Sequence, residues 1–417
     1  MASEVRYRPP LGVRLLNGAG AVLRTAGLPL VRLDAPALMA CAARTTGLSD
    51  FGDDAFREPL ARLTGALERE AQLTLLGRFI ARGDLVRLLE NRLRMVDTRR
   101  HHPEIDGEEI RRPLFVVGLP RTGTTILHEL LAQDPANRVP MTWEVMHPWP
   151  PPERATFATD ARIARVEQHF AGIDRLIPGF KSMHPMGALL PQECVALTAH
   201  DFASMLFSTT HHVPSYQAWL DAADLRFVYR SHRRQLQYLQ WRCTAAHWVL
   251  KSPGHLWALD ALLAAYPDAD IVQTHRDPLT VVASLASLVT LLRRLASDHV
   301  DATAIGAEWT ERLAAGLAHA TAVRDRGLPA GARILDVHFA DLLRGAVGTV
   351  RRIYAHFDRV LDAAAGERMR RFLAENPADK HGRHRYTLAA AGLDPTVERR
   401  RYAAYQERFG VASEAAA

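Results

Sequence analysis

Leu114-Phe-Val-Val-Gly-Leu-Pro-Arg-Thr-Gly-Thr-Thr-Ile-Leu-His-Glu-Leu-Leu-Ala132 decides how the rest of the 417-residue chain is read. The run Leu114-Phe-Val-Val117 is wholly apolar and stops at Gly118 and Pro120, which predicts a short buried strand. From Thr124 onward Ile126, Leu127, Leu130 and Leu131 recur at helical spacing, so strand, loop and helix follow one another. Gly118 and Gly123, with Thr124 and Thr125 behind them, have the spacing of a phosphate-binding loop. In such a loop backbone N–H groups and a helix N-terminus surround an anion. A plain strand-to-helix turn is the alternative; the position between a buried strand and an amphipathic helix weighs against it.

The same alternation returns downstream. His247-Trp-Val-Leu-Lys251, Asp270-Ile-Val-Gln-Thr-His275 and Arg333-Ile-Leu-Asp-Val337 read as buried strands, with helices from about His255 to Ala265, from Pro278, and after Val337. Short apolar strands alternating with helices predict an α/β fold, a P-loop-type parallel sheet flanked by helices. Residues 1–110 read as a helical N-terminal extension, with Phe56, Leu60, Leu63 and Leu67 on one helical face and a second run from Leu73 to Val96. A basic, proline-containing linker follows, and 111–417 form the main domain. Within it, a mainly helical insertion at about 140–245 is expected to close over the carboxyl edge of the sheet, where ligands of such folds bind.

Composition excludes several classes. Apolar residues make up 48% and charged residues 24%, with 52 Lys+Arg against 46 Asp+Glu and a net charge of +6. No basic block with interleaved aromatics and no zinc-finger spacing occurs, so nucleic acid is not an expected partner. Cys41, Cys194 and Cys243 are far apart and form neither a disulfide framework nor a zinc motif, which suits a reducing cytoplasm. None of His147, His184, His200, His211 and His212 belongs to an H-E-x-x-H pattern, and no metal is expected. Arg14, Arg24, Arg32 and Asp34 interrupt the apolar stretch from Leu11 to Ala43, leaving neither a membrane span nor a signal peptide. Leu11, Leu15, Val22 and Ala26 would share a helical face, suited to packing on the protein itself or across a homo-oligomer, with a peripheral membrane contact as the other reading.

The loop departs from the triphosphatase pattern in an informative way. Thr124 stands where a lysine would reach the β- and γ-phosphates, so ATP or GTP loses its charge clamp and a smaller anion is favoured. Arg121 supplies a planar cation from within the loop. Lysine is rare here, with Lys181, Lys251 and Lys380 the three in the chain.

Pro120-Arg-Thr-Gly-Thr-Thr125 resembles the 5′-phosphosulfate loop of sulfotransferases. Arg276-Asp-Pro-Leu-Thr-Val-Val-Ala-Ser284 resembles their 3′-phosphate motif, an arginine with a serine eight residues later. The likeness runs from about Pro113 to Phe409 and is greatest to the large bacterial branch of the family. It implies 3′-phosphoadenosine 5′-phosphosulfate as co-substrate, held by Arg121, Thr122, Gly123, Thr124 and Thr125 at its 5′ end and by Arg276 and Ser284 at its 3′ end. Lys380-His-Gly-Arg-His-Arg385 is similar to the family's loop over the 3′-phosphate, implicating Lys380, Gly382 and Arg383. Each of these residues also has a plainer reading, as a surface cation or a helix serine bonded to its own backbone.

Lys251 resembles the lysine near the bridging oxygen in cytosolic members, where a catalytic histidine stands two residues later; that position here is Pro253. His255 is a nearby substitute, expected at a helix start whose positive end favours neutral imidazole. Glu144, in Met141-Thr-Trp-Glu-Val145, matches the position of a catalytic glutamate in other members and is the preferred general base, a carboxylate tuned by burial beside tryptophan. The implied reaction moves a sulfuryl group to a hydroxyl or amine of a small molecule or lipid. Trp143, Met146, Trp149, Phe180, Met183, Met186, Met205 and Trp219 in the insertion could line an apolar acceptor pocket or form the insertion's own core. A P-loop kinase or triphosphatase and a catalytically silent nucleotide-binding scaffold are the competing readings.

Overall fold

The computed structural model describes residues 10–26, 31–176, 186–244, 246–377 and 387–414. Five parallel strands, β1 (Leu114–Gly118), β2 (Asn137–Arg138), β3 (His247–Lys251), β4 (Asp270–His275) and β5 (Arg333–His338), form one sheet in the order β2-β3-β1-β4-β5. The fold is α/β, as expected. β2, only two residues long, has no periodicity that sequence reading could detect.

The central strands are apolar along their length because both faces of the sheet are covered. Phe115 and Val117 of β1 point into one core cluster with Trp248, Leu250 and Ile271, and Leu114 and Val116 point into another with Val249, Val272 and Leu127. The alternation is the period-two geometry of a strand read on two buried faces.

Registry places the carboxyl ends of the strands together. Val116 pairs with Lys251 and Gly118 with Thr274, so the Gly118 loop, Lys251 and the segment after β4 share one edge. β1 lies between β3 and β4; the chain goes on from it to β2 and β3 on one side and then crosses to β4 and β5 on the other, and this reversal of strand order opens a crevice at that edge.

The boundary near residue 110 does not separate two cores. Leu38, Phe56, Leu60, Leu63 and Leu89 of the N-terminal helices pack in one cluster with Phe202, Phe207, Tyr216 and Val228 of the insertion. The helix Leu11–Thr25 attaches to this unit through polar contacts: Arg24 donates to the Leu73 carbonyl and Asn17 accepts from the Leu76 N–H. Its face carrying Leu11, Leu15 and Val22 is about two-thirds exposed. Among the described residues no helix is long and apolar enough to cross a membrane.

After β3 the chain differs from the continuous helix expected from His255. Pro253–Ala258 is a 3₁₀ turn capped by Ser252, whose hydroxyl accepts from the Gly254 N–H, and the α-helix begins only at Leu259. Pro253 at the first position of this turn lacks the N–H that a preceding helical turn would use.

Candidate active site

The loop after β1 is built around two glycines. Gly118 has φ 155°, and a Cβ there would sit 2.2 Å from Thr274 Oγ1; Gly123 has φ 89°, and its Cβ would sit 2.6 Å from Leu342 Cδ1. Any side chain would therefore both strain the backbone and collide. Gly123 caps the helix Thr124–Leu131 without a side-chain acceptor, which leaves the first-turn N–H groups free of intrahelical partners and available to an anion.

Within the loop the threonines divide. The Thr122 hydroxyl is buried, donates to the Leu119 carbonyl at 2.6 Å and pairs with Thr274 Oγ1 at 2.6 Å, so its side chain fixes the loop's shape from inside. Thr124 is buried in the first helical turn while Thr125 faces outward. Arg121, at φ 66°, is exposed, and its carbonyl accepts from Arg276 Nη1 at 3.1 Å.

Lys251, at the end of β3, is 2% exposed, a costly place for an ammonium without a partner. Its partner is Glu193, whose carboxylate accepts from Nζ in an ion pair, and Thr125 Oγ1 lies 3.4 Å from the same nitrogen. Behind them His128 bonds through Nε2 to the Val249 carbonyl. Burial first, and then the Lys251 charge, push its pKa down to about 3. Glu193 was not singled out by sequence reading. It sits in a proline-flanked turn before the helix Cys194–Thr198, and the available signal was indirect: a strand-end lysine among apolar neighbours needs a carboxylate from somewhere.

Beyond β4, Arg276 lays its guanidinium over the Phe339 ring, 4.3 Å from the centroid. Its Nε and Nη2 each lie 2.8 Å from a carboxylate oxygen of Glu414. Ser284 is buried on the helix Pro278–Arg294, six residues past the first, or about 9 Å along its axis. Lys380, Gly382 and Arg383 lie outside the described residues.

Glu144 and His255 occupy different surroundings from those expected. Glu144 is fully buried and committed on both oxygens: Oε1 accepts from Arg138 Nη1 at 3.0 Å and from the Met141 N–H at 2.9 Å, and Oε2 from Arg138 Nη2 at 2.7 Å. Arg138 is itself held over Trp248 and Phe157. This pair ties β2 to the helix Thr142–Met146, so the position singled out for a general base carries a structural bond. His255 stands edge-on to Phe115, with Nδ1 2.7 Å from the Tyr229 hydroxyl. It is held neutral, well below the usual imidazole range, by burial and then by His232, where a helix terminus had been expected to do this.

His255 Nε2 is buried with no hydrogen-bond partner among the described residues, and the side chain lines a recess. Met205, Val195, Val228 and Trp257 form apolar walls of that recess, and Gln217 and Arg312 add polar ones. Of the aromatic and methionine residues considered for an acceptor pocket, Met205 reaches it. Trp143, Met146 and Met186 instead pack with Phe170 in the insertion's own core, Trp219 packs against the N-terminal helices, and Phe180 and Met183 lie outside the described residues. No group of three or more His, Cys, Asp or Glu among the described residues is placed to hold a metal ion.

The sequence model of the sulfotransferase family matches residues 113–363, more than half of the chain. The chain belongs to the sulfotransferase family. Two solved structures are similar to this sulfotransferase over nearly their whole lengths. Sulfotransferase STF1 from Mycobacterium tuberculosis is 36% identical with a TM-score of 0.79, over 89% of this chain and 98% of that one. Sulfotransferase STF9 from Mycobacterium avium is 30% identical with a TM-score of 0.83, over 91% and 98%. Among curated proteins, omega-hydroxy-beta-dihydromenaquinone-9 sulfotransferase Stf3 from Mycobacterium tuberculosis is 25% identical over 298 residues, covering 66% of this chain and 70% of that protein. The sulfotransferase is thus an enzyme that transfers sulfur-containing groups.

Proposed function

We propose that this sulfotransferase takes its sulfuryl group from 3′-phosphoadenosine 5′-phosphosulfate and passes it to a hydroxyl of a largely apolar acceptor. The observation that carries the donor is the hydrogen bond from Arg276 Nη1 to the Arg121 carbonyl. It joins a strand-end arginine to the anion loop, so two cationic sites lie side by side on one sheet edge, as a donor charged at both its 5′ and 3′ positions requires. In this reading the Gly118–Thr125 loop takes the 5′-phosphosulfate, and Arg276 with Ser284 takes the 3′-phosphate. Lys380, Gly382 and Arg383 are assigned to the same phosphate on resemblance alone.

Transfer is an in-line displacement. The acceptor oxygen forms a bond to sulfur as the bond between sulfur and the bridging oxygen breaks, and the electron pair stays with the 5′-phosphate of the departing 3′-phosphoadenosine 5′-phosphate. Lys251, held between Thr125 and Glu193, is suited to neutralise the charge growing on that bridging oxygen. Glu193 is the partly exposed carboxylate at the same place and is assigned as the base that accepts the acceptor's proton, in preference to the enclosed Glu144. His255 is the second reading for the base, favoured by its neutral state and its unpartnered Nε2 on the recess. The recess walls and the relative named for a hydroxylated dihydromenaquinone both support a lipid-like acceptor.

Thermal shift tests the donor. 3′-Phosphoadenosine 5′-phosphate should raise Tm well above the effect of adenosine 5′-phosphate or Mg-ATP, since a ligand at a hundred times its Kd adds about 2.7 kcal/mol. Equal stabilisation by Mg-ATP would favour a kinase or triphosphatase instead.

A further inference from the structure

We propose that Glu414 competes with the donor's 3′-phosphate for Arg276, and so sets how tightly the enzyme holds donor and released product. The proposal rests on the donor reading above. The forked contact uses Nε and Nη2, one complete edge of the guanidinium, at 2.8 Å each. A phosphate oxygen pair engages arginine through that same planar geometry. The remaining nitrogen, Nη1, is directed to the Arg121 carbonyl, and one face of the guanidinium lies on Phe339. A 3′-phosphate binding to that edge must therefore displace the Glu414 carboxylate.

Glu414 is brought there by defined contacts. The helix Pro395–Phe409 ends at Gly410, with φ 61°, and the chain turns back so that the Val411 N–H donates to the Gln406 carbonyl. Gln406 Nε2 reaches the Ser413 hydroxyl, and the Glu414 N–H donates to Asp277 Oδ2 at 2.8 Å. Asp277 is the residue after Arg276 and caps the helix that bears Ser284. The backbone of residues 411–414 is thus anchored to the 3′-phosphate motif itself.

The side chain can still leave. The Glu414 side chain is 38% exposed and that of Arg276 17%, so the pair is open enough to exchange with solvent. An arrangement with Glu414 on Arg276 and one with it in solvent then compete, and the apparent donor affinity is lowered by the fraction of time the carboxylate is in place. The same competition acts on 3′-phosphoadenosine 5′-phosphate after transfer and hastens its release. A nucleotide lacking the 3′-phosphate does not compete with the carboxylate.

Isothermal titration of the full-length protein with 3′-phosphoadenosine 5′-phosphate and with adenosine 5′-phosphate tests this. Glu414→Gln keeps the shape and the backbone anchor and removes the charge. It should tighten the 3′-phosphorylated nucleotide by about two- to fivefold, the upper part of the range expected of a partly exposed ion pair, and leave adenosine 5′-phosphate unchanged. In an Arg276→Ala background the same substitution should have no effect, because the contested cation is gone. Equal affinity of wild type and Glu414→Gln for 3′-phosphoadenosine 5′-phosphate, or equal tightening for both nucleotides, would overturn this proposal and leave the donor reading standing. Failure of both proteins to bind 3′-phosphoadenosine 5′-phosphate would overturn the donor reading and this proposal with it.

Discussion

Lys251 and Glu193, 58 residues apart in the chain, form an ion pair beside the Gly118–Thr125 loop, with the Thr125 hydroxyl 3.4 Å from the same ammonium. In the proposed reaction the ammonium faces the leaving phosphate on one side, and on the other a carboxylate assigned to take the proton. Glu193→Gln should lower kcat by about 10²- to 10⁴-fold, the usual contribution of a positioned general base, while nucleotide binding changes little. Single-turnover transfer, compared with nucleotide titration, separates the two effects. If Glu193→Gln transfers sulfate at the wild-type rate and His255→Ala does not, the base is His255.

Glu144 calls for the opposite result. Its carboxylate answers both Nη1 and Nη2 of a buried Arg138, so Glu144→Gln leaves a guanidinium without its counter-charge in the interior. Removing one member of such a pair costs about 3–5 kcal/mol, which urea unfolding would register as a lower midpoint. The protein that remains folded should keep kcat within a few-fold of wild type. Unchanged stability together with a collapsed kcat would restore Glu144 as the base.

Acid should destabilise the enzyme through histidines that are held neutral. Burial is the leading cause that pushes His128 and His232 down to about 3 and His200 and His211 down to about 4, from 6.5. The folded values lie below the unfolded one, so between about pH 6.5 and 4 the unfolded chain binds more protons. Stability is fully present above that window and falls as pH drops through it, by up to about 1.4 kcal/mol per unit for each histidine. Urea midpoints at pH 7.5, 6 and 5 should decline steeply below pH 6.5; a flat series would contradict the buried, neutral assignment.

The strand, loop and helix around Gly118 were legible in the sequence because their determinants are local. An apolar run, two glycines five residues apart and a helical stripe of Ile126, Leu127, Leu130 and Leu131 each act within a few residues, through backbone sterics and side-chain periodicity. The three other long strands, β3, β4 and β5, followed for the same reason. The resemblance implied Thr122 as a donor contact, and only packing against Thr274 turned its hydroxyl inward.

What the sequence could not supply is who meets whom across long separations. Glu144 and Glu193 are both acids in the insertion; Arg138 claims the first and Lys251 the second, and nothing local distinguishes them. Arg276 stands out in the sequence through its resemblance to a 3′-phosphate motif, but the Glu414 carboxylate that faces it from 138 residues away does not. The glycine loop and the α/β class were written in the sequence, since backbone conformation and apolar periodicity are encoded in neighbouring residues. Tertiary structure alone decided which carboxylate is enclosed and which stands at the lysine, because burial and charge pairing depend on chain segments that only the fold brings together.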